Sequence, residues 1–102
     1  MPTLEQLLPL LAAEPDDAFV RYAVAMEYAK QMRQEEALGE FNEIIRRTPD
    51  YVPAYFMAGR SCEQKGDVEG AKGFYKAGIE AARRTGDQHA AGEISTALMM
   101  LE

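Results

Sequence analysis

Apolar residues recur along the chain at the spacing of α-helices. Between residues 19 and 29 only Arg21 and Glu27 are charged, and neither Gly nor Pro interrupts the run, so we expect a helix over about 17–32. The stretch 35–48 carries its apolar residues three and four positions apart, which places them on one stripe of a second helix. The same succession returns further along the chain, with helices expected over about 52–65, 68–85 and 88–101.

Turn and capping residues separate these predicted helices. Pro15 and Asp17 mark the start of the first one, where an acidic side chain is favourable at the positive helix N-terminus. Pro49 ends the second, because the residue before a proline is disfavoured in the helical conformation. Gly86 is a candidate C-cap, and Asp87 is a candidate N-cap of the last helix.

The N-terminal segment is a shorter and less regular helix candidate. Thr3 and Gln6 form a capping-box pattern. Pro9 removes a backbone hydrogen bond and costs about 3 kcal/mol in a regular helix, so we expect the segment to be kinked or split there. Its five leucines are Leu4, Leu7, Leu8, Leu10 and Leu11. They require burial, either against the helix that begins near Asp17 or on a second copy of the chain.

The helical pattern repeats after 34 residues. This shift aligns small residues with small ones, aromatic with aromatic, and proline with proline: Val24 with Ala58, Ala25 with Gly59, Ala37 with Ala71, Phe41 with Tyr75, and Pro15 with Pro49. The turn residues 31–33 fall on 65–67, and in the backward direction Leu7 falls on Phe41. The predicted layout is a half-repeat helix at 3–13, repeats at 18–51 and 52–85, and a capping helix at 87–101.

Over residues 3–101 the chain resembles a small bacterial tetratricopeptide repeat (TPR) protein. The residues that carry the resemblance are Val24, Ala25, Tyr28, Ala37, Phe41 and Pro49 in the first repeat, and Tyr55, Ala58, Gly59, Ala71, Tyr75 and Ile79 in the second. Arg21, Cys62 and Arg83 depart from the residues usual at their positions. The resemblance implies an all-α fold, a right-handed α-solenoid of antiparallel helix pairs. In this family the first helix of each pair lines a concave groove.

The first helix of each repeat carries more apolar residues than one buried stripe needs. Residues 19–29 include nine of them, whereas a surface helix needs about three or four per two turns. The repeat register assigns Val24, Ala25 and Tyr28 to the core. The remaining stripe and its counterpart in the second repeat form the predicted groove, which consists of Phe19, Tyr22, Met26 and Lys30, then Pro53, Phe56, Arg60 and Gln64.

Two readings of this stripe stay open, because apolar residues at helical spacing belong to a core more often than to a binding site. As a groove, it would offer Lys30 and Arg60 to a carboxylate or a peptide C-terminus. Chaperone-binding relatives clamp a terminal carboxylate with Lys, Asn and Arg side chains. Met26 occupies one of the Asn positions, so the resemblance implies no complete clamp here.

Composition removes several classes of function. With 11 basic and 17 acidic residues, a net charge of −6 and no long basic block, the chain is not expected to bind nucleic acid. The single Cys62 cannot form an internal disulfide or supply a zinc site, and we expect no metal or cofactor. His89 is the only imidazole, and no nucleophile is predicted to face it, so we expect no catalysis.

The distribution of apolar and basic residues predicts the localisation of the protein. No apolar stretch approaches the roughly 18 residues of a membrane span, and the first basic residue is Arg21, which disfavours a signal peptide. We therefore expect a cytoplasmic protein with no membrane partner.

Two functions remain. The first is an adaptor that binds a partner peptide or protein in the groove. The alternative is a self-assembling homodimer in which an apolar surface, the Leu-rich start, the groove stripe or Met99 and Met100, pairs with another copy across a twofold axis.

Overall fold

Six α-helices make up the fold. A computed structural model describes residues 2–102, and that range contains no β-strand. The helices are α1 (Leu4–Ala13), α2 (Ala18–Lys30), α3 (Gln34–Arg47), α4 (Val52–Gln64), α5 (Val68–Arg84) and α6 (Gln88–Met99). The predicted all-α helical repeat is confirmed. The ends of α2 to α6 differ from the predicted ends by at most two residues. Deviations of this size are expected because the terminal turns of helices fray.

Side-chain caps begin four of the six helices. The capping box of α1 is confirmed, because the Gln6 amide N–H donates to Thr3 Oγ1 at 3.3 Å and Gln6 Oε1 accepts from the Thr3 N–H at 2.9 Å. Asp17 accepts from the Val20 N–H at 3.1 Å, and Asp87 caps α6 in the same way. These bonds satisfy backbone donors that have no partner inside the helix.

Helix α1 continues through Pro9 and is not split. Leu7 and Leu11 are buried against α2, whereas Leu8 and Leu10 are exposed. Leu4, Leu7 and Leu11 therefore pack on their own chain, as the first of the two alternatives predicted, whereas Leu8 and Leu10 are not covered by it.

The core depends on small residues where helices approach closely. Helices pack mainly against their neighbours in sequence. A Cβ atom on Gly59 would lie 2.2 Å from Tyr75 Cε1, so only glycine allows α5 to approach α4 this closely. The Tyr75 ring is fully buried, and its hydroxyl donates to the Glu63 carboxylate. The predicted small positions Ala25, Ala37, Gly59 and Ala71 are all buried.

Polar contacts also recur with a spacing of 34 residues. Arg21 Nη2 donates to the Pro15 carbonyl at 2.9 Å, and Tyr55 Oη donates to the Pro49 carbonyl at 2.6 Å. Two different side chains thus bind the equivalent loops that precede α2 and α4. Arg21 also pairs with Glu40 at 2.6 Å, which gives a structural role to one of the three residues that depart from the family pattern.

Three connections are tight turns with a left-handed residue at their centre. The α2–α3, α4–α5 and α5–α6 turns contain Met32, Gly66 and Gly86, with φ of 62°, 80° and 77°. Glycine adopts this conformation without a steric penalty, whereas a residue with a Cβ atom does not. Met32 is the only non-glycine residue with positive φ within residues 2–102.

Helices α2, α4 and α6 lie next to one another on one side of the molecule. Residues of α2 and α4 line one shared depression, and residues of α4 and α6 line another. We call this side the groove face.

Candidate partner-binding face

A large depression on the groove face lies between α1 and α2. It has a volume of about 500 Å³ and an almost entirely apolar wall. Its lining residues are Pro2, Leu7, Phe19, Tyr22, Ala23, Met26, Glu27 and Lys30. We call it the α1–α2 depression. Phe19 is 73% exposed, so its ring is available to a partner without any change in the fold.

A second, more polar depression separates α2 from α4. Its volume is about 280 Å³, and it is lined by Ala29, Lys30, Met32, Gln34, Met57, Arg60, Ser61 and Gln64. We call it the α2–α4 cleft. Lys30 lines both this cleft and the α1–α2 depression, so the two are adjacent.

Phe56 lines neither the α1–α2 depression nor the α2–α4 cleft. With Pro53 it lines a third depression, of about 200 Å³, between α4 and α6. The eight groove residues predicted from sequence thus all line depressions on the groove face, but these are three separate depressions rather than one continuous groove. Their role in binding a partner stays a prediction.

Two of the predicted residues also belong to the packed interior. The Tyr22 ring centre lies 6.0 Å from that of Phe41 and 5.6 Å from that of Tyr51, and burial raises the pKa of the Tyr22 hydroxyl. The Phe56 ring lies 6.0 Å from Tyr75. Both rings are half-buried, so they form the floor of the face, and replacing them with alanine removes core contacts as well.

Two cations, Lys30 and Arg60, line the α2–α4 cleft. The Arg60 guanidinium lies 5.8 Å from the centre of the Phe56 ring, and no Asp or Glu between residues 2 and 102 lies within ion-pair distance of it. Lys30 Nζ lies 4.0 Å from Glu27 Oε1, and the lysine side chain is 67% exposed. Both cations are accessible to an anionic group.

Sequence reasoning missed five of the residues that line this cleft, and two of them carry its most unusual features. Gln34 Oε1 is a buried acceptor with no hydrogen-bond partner, and no sequence signal identifies it. Met32 is 70% exposed, and here a signal existed, because the 34-residue shift places Met32 on Gly66.

The thiol and the imidazole line none of the three depressions. The Cys62 thiol is free and buried, and burial raises its pKa, which disfavours the reactive thiolate. His89 Nε2 lies 3.0 Å from Glu93 on the surface of α6. In the part of the chain that the structure describes, no helix is both long and apolar enough to cross a bilayer.

The helix arrangement and its repeated turns define an α-helical repeat protein. Residues 1–71 match the sequence model of the tetratricopeptide repeat. The chain therefore belongs to the tetratricopeptide repeat family. It is 25% identical over 99 residues to a TPR repeat-containing protein of Pseudomonas aeruginosa, and the match covers 97% of this chain and 94% of that protein.

Solved structures show the same fold. A tetratricopeptide repeat domain protein from Salinibacter ruber is 36% identical, with a TM-score of 0.82 over 87% of this chain and 90% of that one. PcrH, solved in complex with the chaperone binding region of PopD, gives a TM-score of 0.90 over 96% of this chain and 74% of that one, at 16% identity. At that identity the likeness to PcrH concerns the fold alone.

Proposed function

We propose that this chain is a non-catalytic interaction module that binds a segment of a partner protein on the groove face. The observation that carries the proposal is the α1–α2 depression. Its wall is almost entirely apolar, and it exposes an aromatic ring that the fold does not need to bury. Such a surface is typical of sites where a partner buries its own apolar side chains.

Proteins with a similar fold and sequence support this proposal. PcrH has the same fold and was solved with a bound segment of PopD, and proteins of the tetratricopeptide repeat family are generally interaction scaffolds. We extend this kind of activity to the present chain, with Phe19, Tyr22, Met26, Lys30, Phe56, Arg60 and Gln64 as the proposed contact residues.

Absence of catalysis is part of the proposal. The only imidazole, His89, is exposed and contacts a carboxylate rather than a nucleophile, and Cys62 is buried. We also propose a cytoplasmic location and no nucleic-acid partner, in keeping with a free thiol and a net charge of −6.

The test is selection of ligands from a library of random twelve-residue peptides displayed on phage. Phe19→Ala is expected to lower the affinity for the enriched peptides while the thermal midpoint stays unchanged, because the side chain is exposed. Met99→Ala removes another large exposed side chain, 72% accessible and outside the groove face depressions, and is the matched control. A library from which nothing is enriched, or equal losses in both variants, would contradict the proposal.

A second candidate function is self-assembly. Leu8 and Leu10 on α1, and Met99 and Met100 at the end of α6, leave large apolar side chains exposed. A twofold dimer could cover either set. This alternative predicts a dimer in sedimentation equilibrium at low micromolar concentration, dispersed by Leu8→Glu or Met100→Glu. A monomer at all concentrations would eliminate it.

A further inference from the structure

An exposed surface of α1 corresponds to a buried surface of α3. The 34-residue register aligns Leu10 of α1 with Ile44 of α3. Ile44 is 1% exposed, because it packs in one cluster with residues of α2 and α4, whereas Leu10 is 54% exposed. Helix α1 therefore has the apolar side that α3 turns toward the helix before it, but no helix between residues 2 and 102 covers that side.

The α1–α2 depression lies at the place that such a helix would occupy. Ala23 and Glu27 on its α2 wall align with Met57 and Ser61 of α4. Met57 and Ser61 line the cleft that α4 shares with α2. The wall of the depression is thus the counterpart of the α4 surface that lies beside α2. By this register the occupant of the depression corresponds to α2 itself, which is an α-helix.

The packing of the two predicted repeats indicates what the occupant presents to α1. Gly59 of α4 lies against the Tyr75 ring. Ala25 of α2, its counterpart, belongs to the same buried cluster as Phe41. Both aromatic residues align with Leu7 of α1, and a leucine is smaller than an aromatic ring. The depression of about 500 Å³ therefore suits a helix whose apolar stripe includes large side chains.

A second copy of the chain offers no matching helix. Helix α6 corresponds to α4, and no further helix packs behind it within residues 2–102. Its His89 and Glu93 align with Tyr55 and Gly59, through which α4 packs on α5. His89 and Glu93 are exposed and contact each other, and burying them against the leucines of α1 would remove their hydration. The occupant is therefore a helix of a different protein.

We propose that the α1–α2 depression binds an amphipathic α-helix of a partner protein, which completes the half-repeat that α1 begins. The apolar stripe of this helix packs on Leu7 and Leu10 of α1 and on Phe19 of α2. Its length is about that of α2 and α4, which have 13 residues each. This inference rests on the proposed function and specifies the conformation of the bound segment.

Selection from a helix library tests the proposal. The library displays helices of about four turns made of Ala, Glu and Lys, with the positions of one face randomised. The wild type is expected to enrich apolar residues at these positions, whereas Leu10→Glu is expected to abolish the enrichment. Leu8→Glu is the matched control, because Leu8 is also an exposed leucine of α1 and aligns with the exposed Asn42 of α3. It is expected to keep the enrichment.

Affinity and helicity of the best selected peptide give the magnitude. Leu10→Glu is expected to bind it at least about tenfold more weakly, through loss of a buried leucine side chain. A proline at the centre of the peptide is expected to weaken binding at least about fiftyfold, because it breaks the helix. Isolated helices of this length are marginal in water, so circular dichroism is expected to show a gain in helicity on binding.

The outcomes separate this inference from the function beneath it. Peptides that tolerate the proline, gain no helicity, or bind equally to wild type and Leu10→Glu would overturn the helix site and leave peptide binding intact. An empty helix library beside an enriched random library would do the same. A homodimer that Leu10→Glu disperses would assign the depression to a second copy and overturn the partner helix. Failure of both libraries would overturn the inference and the proposed function together.

Discussion

Replacing Met32 with glycine is expected to stabilise the protein. The left-handed conformation at φ of 62° costs a residue with a Cβ atom about 1–2 kcal/mol. Glycine removes that cost. It also raises the conformational entropy of the unfolded chain, which offsets about 0.5–1 kcal/mol of the gain in stability. The exposed side chain contributes little burial. The net gain is about 1 kcal/mol, which corresponds to a rise in thermal midpoint of about 4–8 °C for a domain of this size.

Thermal and urea unfolding followed by circular dichroism measure this effect, and two variants separate its causes. Met32→Ala removes the side chain and keeps the strained backbone, so its stability is expected to stay close to wild type. Gly66→Ala introduces a Cβ atom at φ of 80° with no other atom within 4 Å, so it is expected to lose about 1 kcal/mol from the backbone alone. A Met32→Gly protein no more stable than wild type would refute the reasoning and show that the methionine stabilises the fold.

Two other substitutions follow from the packing and the charges. Gly59→Ala is expected to destabilise the fold by about 1–3 kcal/mol or more, because its Cβ would lie 2.2 Å from Tyr75; Gly39→Ala, in open space on α3, is the control and is expected to gain about 0.5–1 kcal/mol. Equal urea midpoints for the two variants would contradict this. The neighbouring arginines on α3 lower the pKa of Glu43 from 4.5 to about 2, so the ionised carboxylate stabilises the fold above its unfolded-state pKa, and this contribution is lost as pH falls through about 2. Glu43→Gln is therefore expected to lower the thermal midpoint at pH 7 but not at pH 2, and a constant difference across that range would contradict the assignment.

The fold was predictable because local signals agree with each other. The spacing of apolar residues, the caps at Thr3, Asp17 and Asp87, and the 34-residue register all indicate the same helices. The small residues at helix crossings were also identifiable, since the 34-residue shift places small residues on small ones. Pro9 is the exception, because the sequence alone did not show that α1 continues through it.

The groove face was less predictable because its shape depends on distances between helices. Helical spacing placed Tyr22 and Phe56 on the groove face, but only the packing shows that both rings are half-buried. The same holds for Gln34, whose unpaired oxygen results from the geometry of the cleft. The division of the face into three depressions likewise depends on how α1, α4 and α6 lie beside α2 and each other.

The most direct test of the account is to map where a selected peptide binds. Amide ¹H–¹⁵N NMR spectra of the wild type, recorded during titration with the most strongly enriched peptide and with its scrambled version, locate the contact surface. We predict shifts that cluster in α2 and α4, around Phe19, Lys30, Met32 and Arg60, and only with the selected peptide. Shifts confined to α3 and α5, or equal shifts with the scrambled peptide, would contradict the proposal that the groove face binds the partner.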